Sequence, residues 1–501
     1  MELVFQEKQV ECLNRILCET VLLEQTADII VPDSLPDIER VVDAFGMLMI
    51  RTEECIALSA SAAGVVQAGV LYVSEDGSVQ QIPAQIPFSV RRDFSSQQES
   101  CTLQCRCVLR SVDARALNSR KLLVRVGIAC TLTVYAQERV TLYDLPDPAP
   151  NLQLKRTQLP LTMPLGLCEK SFVLNEELEL ASGKPALERL LKCLCRVQLA
   201  EQKLVGDKAV FKGGLLIHAL YEDTEGKLST HEWNVPFSQY AQMEQELDEN
   251  ELLTELSMMS FEVEPDSQTD CRRLLLSANL LAQCTAIGQK KITLIEDAYC
   301  TDAQFTPQFD ACEMTGILDR QVFRETAAAV NDEPAGSVVD AWMYSEEVSR
   351  QRTDGAMLLE QSLNCNVLYY DTEGKLQGSV LRPTLRVETA ISDAGNCAVT
   401  ELNAGEVLCS AGAAGLEVRV PISMTVESSS LHRLNTVKGG QITELPEQTG
   451  RRPSVILRRT EREEELWELG KAYRTPIQTI KEANDLQTDV IPADAMLLIP
   501  L

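Results

Sequence analysis

The sequence predicts a mainly β chain, with three tandem β-sandwich-like or barrel-like repeat domains and a small C-terminal strand–helix–helix–strand module. Three observations lead there. A hairpin signature recurs, with Tyr72, Tyr221 and Tyr369 each standing five residues ahead of Gly77, Gly226 and Gly374. The copies lie 149 (221 − 72) and 148 (369 − 221) residues apart, the self-similarity of a repeated unit. Gly, Pro and Asp also punctuate short runs of period-two alternation, and almost no long helical period intervenes before about residue 455.

Side chains in a strand alternate between faces, so those sharing a face with each Tyr are counted back in twos. They are Val70, Ala68 and Val66, then Ala219, Ile217 and Leu215, then Val367, Cys365 and Leu363. An acidic residue precedes each Gly (Asp76, Glu225, Glu373), and an acidic-Gly pair supplies the positive φ angles of a tight hairpin turn. The register extends further. Pro36-Asp37-Ile38-Glu39-Arg40 matches Pro185-Ala186-Leu187-Glu188-Arg189, Val41-Val42-Asp43-Ala44 matches Val338-Val339-Asp340-Ala341, and Ile86-Pro87-Phe88 matches Val235-Pro236-Phe237.

Taken in order, Val10, Leu13, Ile16 and Leu17 have roughly helical spacing and predict a lead-in helix within residues 1–20. The first repeat domain, 1–145 with that lead-in, then passes from a short strand through the Pro32-Asp33 to Pro36-Asp37 turn into a turn or two of helix. That turn is a candidate recognition feature, and a loop that merely shapes the domain is the competing reading. Cys101, Leu103, Cys105, Cys107 and Leu109 share a strand face. A line of thiols on one face, with no partner Cys or His cluster, reads as buried apolar packing and not as a metal site; Cys193 and Cys195 read likewise. A Pro-rich connector from Leu145 to Pro164 leads to the second domain, 165–326, in which Cys271-Arg272-Arg273 parallels Ser119-Arg120-Lys121. The third, more diverged domain spans 335–430, and a linker through Gly439-Gly440 and Pro446 follows.

Composition excludes several classes. With 501 residues and 45% hydrophobic content the chain has room for three or four domains with ordinary cores. A net charge of −28 opposes general nucleic-acid and anionic-membrane binding despite the Arg451-Arg452 and Arg458-Arg459 pairs. No secretory signal pattern and no run long enough for a membrane span is present, and the 17 cysteines are scattered and odd in number, so a reduced, cytoplasmic protein is expected. An enzyme is not expected. His218, His231 and His432 are the three histidines, and His218 sits where the other repeats carry Gly69 and Asn366. Glu225-Gly226-Lys227 lacks the preceding Gly and following Ser/Thr of a phosphate loop. No cofactor or metal is implied.

The final module, 451–501, orders a strand at Ser454–Arg459, a helix at Glu463–Tyr473, a second helix capped by Thr475 with Pro476 and Gln478, and a closing strand at Met496–Pro500. Leu466-Trp467-Glu468-Leu469-Gly470-Lys471-Ala472-Tyr473, Ile480-Lys481-Glu482-Ala483-Asn484-Asp485-Leu486 and Leu498-Ile499-Pro500 in that order resemble a LysM domain. The resemblance implies a groove for N-acetylglucosamine-containing glycans such as peptidoglycan, with Glu464, Glu465, Leu466, Asn484, Asp485, Leu486, Thr488 and Asp489 as its candidate residues. Glu463-Glu464-Glu465 stands where that family carries Gly-Asp-Thr/Ser, which crowds the rim with charge and turns the leading expectation toward protein docking.

Val31-Pro32-Asp33-Ser34-Leu35-Pro36-Asp37-Ile38, followed by the Tyr hairpin and Pro-Phe, resembles the SPOCS domain of endospore-forming bacteria. SPOCS domains ahead of a terminal LysM module is the layout of SipL-like spore-morphogenesis proteins. The resemblance implies a non-catalytic adaptor in the mother-cell cytoplasm at the forespore surface, docking to the ATPase of the coat basement layer and to other coat proteins. The alternative is a peptidoglycan-binding wall or cortex protein.

Overall fold

Period-two apolar alternation runs through nearly all of the chain, and the segments that carry it are extended strands in the computed structural model, which describes residues 2–56, 58–95, 101–247, 250–266, 272–346, 348–353, 356–390, 396–412, 415–445 and 453–501. The first unit comprises β1 (Glu2–Val4), β2 (Gln6–Ile30), β3 (Ile38–Ile56), β4 (Ser59–Ser74), β5 (Val79–Asp93), β6 (Cys101–Asn118) and β7 (Lys121–Asp144). Strands β2, β7 and β6 pair in that order as one antiparallel sheet, and β3, β4 and β5 as another. The two sheets face each other across a core that includes Phe45, Val70, Tyr72, Phe88, Leu122, Val126 and Leu132.

The second unit repeats that plan with β8 (Leu152–Glu179), β9 (Leu187–Val205), β10 (Lys208–Asp223), β11 (Leu228–Gln242), β12 (Glu251–Pro265) and β13 (Arg273–Cys300), paired β8-β13-β12 and β9-β10-β11. The third does so with β14 (Ala303–Asn331), β15 (Ala335–Ser345), β16 (Ser349–Thr353), β17 (Ala356–Asp371), β18 (Leu376–Leu381), β19 (Thr384–Thr389), β20 (Asn396–Ala404), β21 (Leu408–Gly412) and β22 (Gly415–Glu444). Its extra strands arise by interruption. Pro383 cannot donate to a ladder and divides β18 from β19, both of which pair with β17. The units close into a ring in sequence as well as space, since β1 pairs with β22 of the third unit.

The recurrent hairpin is the same object three times. Gly77, Gly226 and Gly374 take φ of 83°, 78° and 80°, while the acidic residues before them are not left-handed, so the glycine alone supplies the positive angle. Tyr72, Tyr221 and Tyr369 are buried and reach back equally far: their hydroxyls donate to Pro36 O (2.9 Å), Pro185 O (3.2 Å) and Glu333 Oε2 (3.4 Å).

Several expectations are overturned. Residues 6–30 are strand β2, not a lead-in helix; a bulge between Arg15 and Leu17 inserts Ile16 and breaks the alternation into a helix-like spacing. After Pro36-Asp37 the chain enters β3, not a helical turn. The Pro-rich segment is mostly not a connector, because β8 begins at Leu152 and carries Pro160 and Pro164; among the described residues its far edge makes only the Ile317–Thr162 bridge, and an edge tolerates prolines. Strand β14 crosses the expected boundary at 326–335, and β22 carries Gly439 and Gly440 through the expected linker. Cys271, Pro446 and the Arg451-Arg452 pair lie outside the described residues.

The C-terminal module orders β23 (Val455–Arg459), β24 (Glu464–Glu465), α1 (Leu466–Tyr473), α2 (Ile477–Asn484), β25 (Val490–Ile491) and β26 (Met496–Pro500), with β23 on β26 and β24 on β25. Leu466, Leu469, Ile480, Ile491, Leu497 and Ile499 form its core. The capping box expected at Thr475 is absent: Pro476 precedes α2 without a side-chain cap, and the Thr475 hydroxyl donates instead to Pro500 O at 2.6 Å.

Candidate functional site

The second strand of each unit bulges at the same place. Val42, Leu191 and Val339 are the residues skipped in the pairing of β3 with β4, β9 with β10 and β15 with β17. A bulge re-aims the side chain that follows it. Those side chains are Asp43, Lys192 and Asp340, equivalent by the same 149- and 148-residue offsets (192 − 43, 340 − 192), and they meet at one point. Lys192 Nζ donates to Asp43 Oδ2 at 2.9 Å and to Asp340 Oδ2 at 2.8 Å. One residue from each unit therefore converges on a pseudo-threefold axis.

The next ring of contacts keeps the symmetry. His218 of the second unit hydrogen-bonds Asp340 Oδ1 of the third at 2.5 Å, and its equivalent Asn366 of the third donates to Ala44 O of the first at 2.9 Å and to Asp43 Oδ1 at 3.3 Å. The third equivalent is Gly69, where a Cβ would stand 2.4 Å from the Phe45 ring, the ring over which Lys192 Nζ lies at 5.5 Å. The side chain omitted at Gly69 leaves room for that ring.

Burial opposes the Lys192 charge, but Asp340 and Asp43 outweigh it and hold the ammonium well above the ordinary lysine value. Burial likewise raises the Asp340 carboxyl, yet Lys192 and His218 draw it far below the usual carboxylate range. His218 is disfavoured as a cation by burial and still pushed up to about 9 by its bonds to Asp340 and Glu232. Two cations thus balance two buried carboxylates. Because both ring nitrogens of His218 face carboxylates, the imidazole keeps its proton and is not placed to take one from a substrate.

Around the axis the second-strand sheets stand edge to edge, and their junctions differ. Arg189 of the second unit donates to Val79 O of the first at 2.6 Å, and the equivalent Arg40 of the first donates to Leu376 O of the third at 2.9 Å. The equivalent in the third unit is Ser337, too short for such a clamp. Gly378 lets the third unit approach the first so closely that a Cβ would lie 1.7 Å from Val42 O, whereas the corresponding residue of the second unit is Thr230. The junction between the second and third units has neither device and carries a cleft of about 450 Å³ lined by His218, Thr230, His231, Glu232, Trp342 and Arg196 among others.

The Pro32, Asp33, Pro36 and Asp37 turn is held from beneath by Arg120, whose guanidinium donates to Leu35 O (2.8 Å), Asp37 Oδ1 (2.9 Å), Pro32 O (3.1 Å) and Asp33 Oδ1 (3.3 Å). Hydrogen bonds from Ser119 and then Arg120 keep the Asp37 carboxyl below its ordinary value. Arg272 holds the equivalent loop through Leu180 O, Ala181 O and Lys184 O. The motif closes each loop.

In the C-terminal module the candidate groove residues do come together, since β24 pairs with β25 and Leu466 N donates to Asp489 O at 2.8 Å. Most have internal partners. Glu464 pairs with Arg458, Asp489 with Lys481, and Glu465 with Lys155 of β8; Leu466 is core. Asn484 bonds Leu498 through both its amide nitrogen and its oxygen, Asp485 is the left-handed residue ending α2, Leu486 packs against the core and Thr488 donates to Val490 O. Helix α1 lies against the second unit: Trp467 Nε1 and Lys471 Nζ both donate to Asp297 Oδ2, at 2.8 and 2.6 Å, and Tyr299 stacks edge-on to Trp467 while its hydroxyl donates to Thr475 O. The outer face of the β23–β26 pair is left uncovered, exposing Val455, Leu457, Met496 and Leu498.

Among the described residues no group of three or more His, Cys, Asp or Glu is arranged to hold a metal ion, and no helix is long and apolar enough to cross a membrane. Cys105 is buried, and Cys107 Sγ lies 3.1 Å from Cys130 Sγ on the neighbouring strand. The family model described as "SipL, SPOCS domain" matches residues 186–264, which run from the start of β9 nearly to the end of β12. No curated protein and no solved structure matches the chain.

Proposed function

We propose that the chain is a non-catalytic adaptor in endospore coat assembly. In this reading the ring of three SPOCS-type units carries a terminal LysM-type module that docks to the coat-basement ATPase at the forespore surface, within the mother cell. The SPOCS match at 186–264 supports a sporulation role. The observation that carries the adaptor reading is the uncovered apolar face of the C-terminal module. Val455, Leu457 and Met496 are 45, 66 and 57% exposed on two paired strands, a surface suited to a protein partner. The peptidoglycan alternative is weaker, because three of the four carboxylates at the candidate groove, Glu464, Asp489 and Glu465, are already paired with Arg458, Lys481 and Lys155.

The test uses the full chain with the coat-basement ATPase and with purified peptidoglycan in parallel. Wild-type protein captures the ATPase, Leu457→Glu/Met496→Glu does not, and neither sediments with peptidoglycan. Sedimentation with peptidoglycan without ATPase capture would reverse the assignment.

A further inference from the structure

Strand β6 is the arm by which the first unit holds both of its neighbours. On one side Gln104 Nε2 donates to Thr285 Oγ1 at 2.8 Å, Cys105 N donates to Gln283 Oε1 at 3.1 Å, and Arg106 pairs with Glu255, all in the second unit. On the other side Arg110 Nε donates to Glu346 Oε2 at 2.8 Å, and Arg110 O accepts from Asn364 Nδ2 at 2.8 Å, both in the third. Between these two seams lies Cys107. Its thiol has two others beside it, Cys130 Sγ at 3.1 Å and Cys105 Sγ at 3.5 Å.

Geometry selects one of the two bonds these thiols could form. Cys107 and Cys130 stand directly opposite each other in the antiparallel pairing of β6 with β7. Opposite residues have Cα atoms ~4.5–5.5 Å apart, inside the range a disulfide spans. Cys105 and Cys107 are two positions apart on one strand, about 6.6 Å at a rise of ~3.3 Å per residue, which is the far limit of that range. Of the three, Cys107 is partly exposed, whereas Cys105 and Cys130 are buried. An oxidant therefore meets Cys107 first, with a resolving thiol already in contact.

We propose that Cys107 and Cys130 are a dithiol that a peroxide converts into a disulfide, fastening β6 to β7 between its two inter-unit seams. The Cys107 thiolate attacks one oxygen of hydrogen peroxide and breaks the O–O bond, leaving a sulfenic acid; the released hydroxide takes the thiol proton and departs as water. Cys130 sulfur then attacks the Cys107 sulfur, and the displaced hydroxyl leaves with the Cys130 proton as a second water, so two thiols are oxidised and one peroxide is reduced. Hydrogen bonds with Cys105 and Cys130, and then burial, hold the Cys107 thiol above its ordinary value, so the reaction is slow at neutral pH and quickens as pH rises. The site lies in the β ring and does not depend on what the C-terminal module binds.

The test exposes the folded full chain to hydrogen peroxide, blocks the remaining thiols and maps tryptic peptides without reduction. Arg106 separates Cys105 from Cys107, so Cys107 falls in peptide 107–110 and Cys130 in peptide 126–139, each the only cysteine of its peptide. These two peptides should appear joined, and dithiothreitol should part them. The oxidised chain should also unfold at a higher urea concentration than the reduced one, a shift absent in Cys107→Ala. The mapping needs no variant, so it decides even where Cys107→Ala fails to fold. Recovery of peptide 107–110 with a blocked thiol or a sulfonic acid, its joining to the peptide that carries Cys101 and Cys105, or a link that forms only in urea-unfolded chain would overturn the proposal. A joined pair with an unchanged urea midpoint would overturn the fastening of β6.

Discussion

Replacing Lys192 by Met tests the axis directly. The lysine side chain is 1% exposed and touches Asp43 and Asp340 at 2.9 and 2.8 Å, and with protonated His218 it balances both carboxylates. Each pair is worth ~4 kcal/mol at a separation of about 4 Å and an effective dielectric of roughly 20, before desolvation is subtracted. Methionine fills a similar volume and leaves one buried negative charge without a partner. Removing one member of a buried ion pair costs about 3–5 kcal/mol, so the first unfolding transition in urea should lose that amount. Adding Asp43→Asn deletes the surplus charge and should recover part of the loss, a coupling that distant sites do not show. A single variant within ~1 kcal/mol of wild type would refute convergence of the three units on this residue.

Four further outcomes follow from particular contacts. His218 has a folded value of about 9 against an ordinary 6.5, so its contribution is complete below about pH 6.5 and lost as pH rises through 9; His218→Asn should flatten that decline in melting temperature, by ~3 kcal/mol at most. Burial pushes the Glu53 carboxyl up to about 7, so stability falls as pH climbs from its ordinary value through 7; Glu53→Gln should melt higher than wild type at pH 8 and equally at pH 4. Arg120→Met removes the donors to Leu35 O, Pro32 O and Asp37, and should cost about 2 kcal/mol while making the 32–37 loop sensitive to limited proteolysis. Asp297→Ala removes the acceptor shared by Trp467 and Lys471, and should release the C-terminal module to protease while the melting of the ring stays within ~1 kcal/mol.

The hairpins were legible in the sequence because period-two alternation and a Gly that must turn left-handed are local signals, repeated at fixed offset. What obscured the first strand was also local. The bulge at Ile16 displaced the pattern by one residue, enough to counterfeit a helix. The axis escaped for another reason. Val41-Val42-Asp43-Ala44 and Val338-Val339-Asp340-Ala341 align by eye, but the middle copy reads Leu190-Leu191-Lys192-Cys193, and the reversed charge hides its kinship. An ionisable residue at one register position in all three copies, alternating in sign, was the available signal. His218 fell at the equivalent of Gly69 and Asn366, and that register also marks it as an axis residue. For the C-terminal groove, the residues that resemblance proposed are adjacent, but no sequence pattern disclosed that Lys155, some 310 positions away, would pair with Glu465.

The pairing of Glu2, Leu3 and Val4 with Gln441, Gly440 and Gly439 sets an order in time. During synthesis Glu2, Leu3 and Val4 have no partner until residues 439–441, at the far end of the third unit, are made. At roughly 5–20 residues per second, ~440 residues take ~20–90 s. Over that interval β1 is unpaired while the first two units are already made, so the nascent chain exposes a pairing surface that the completed fold covers.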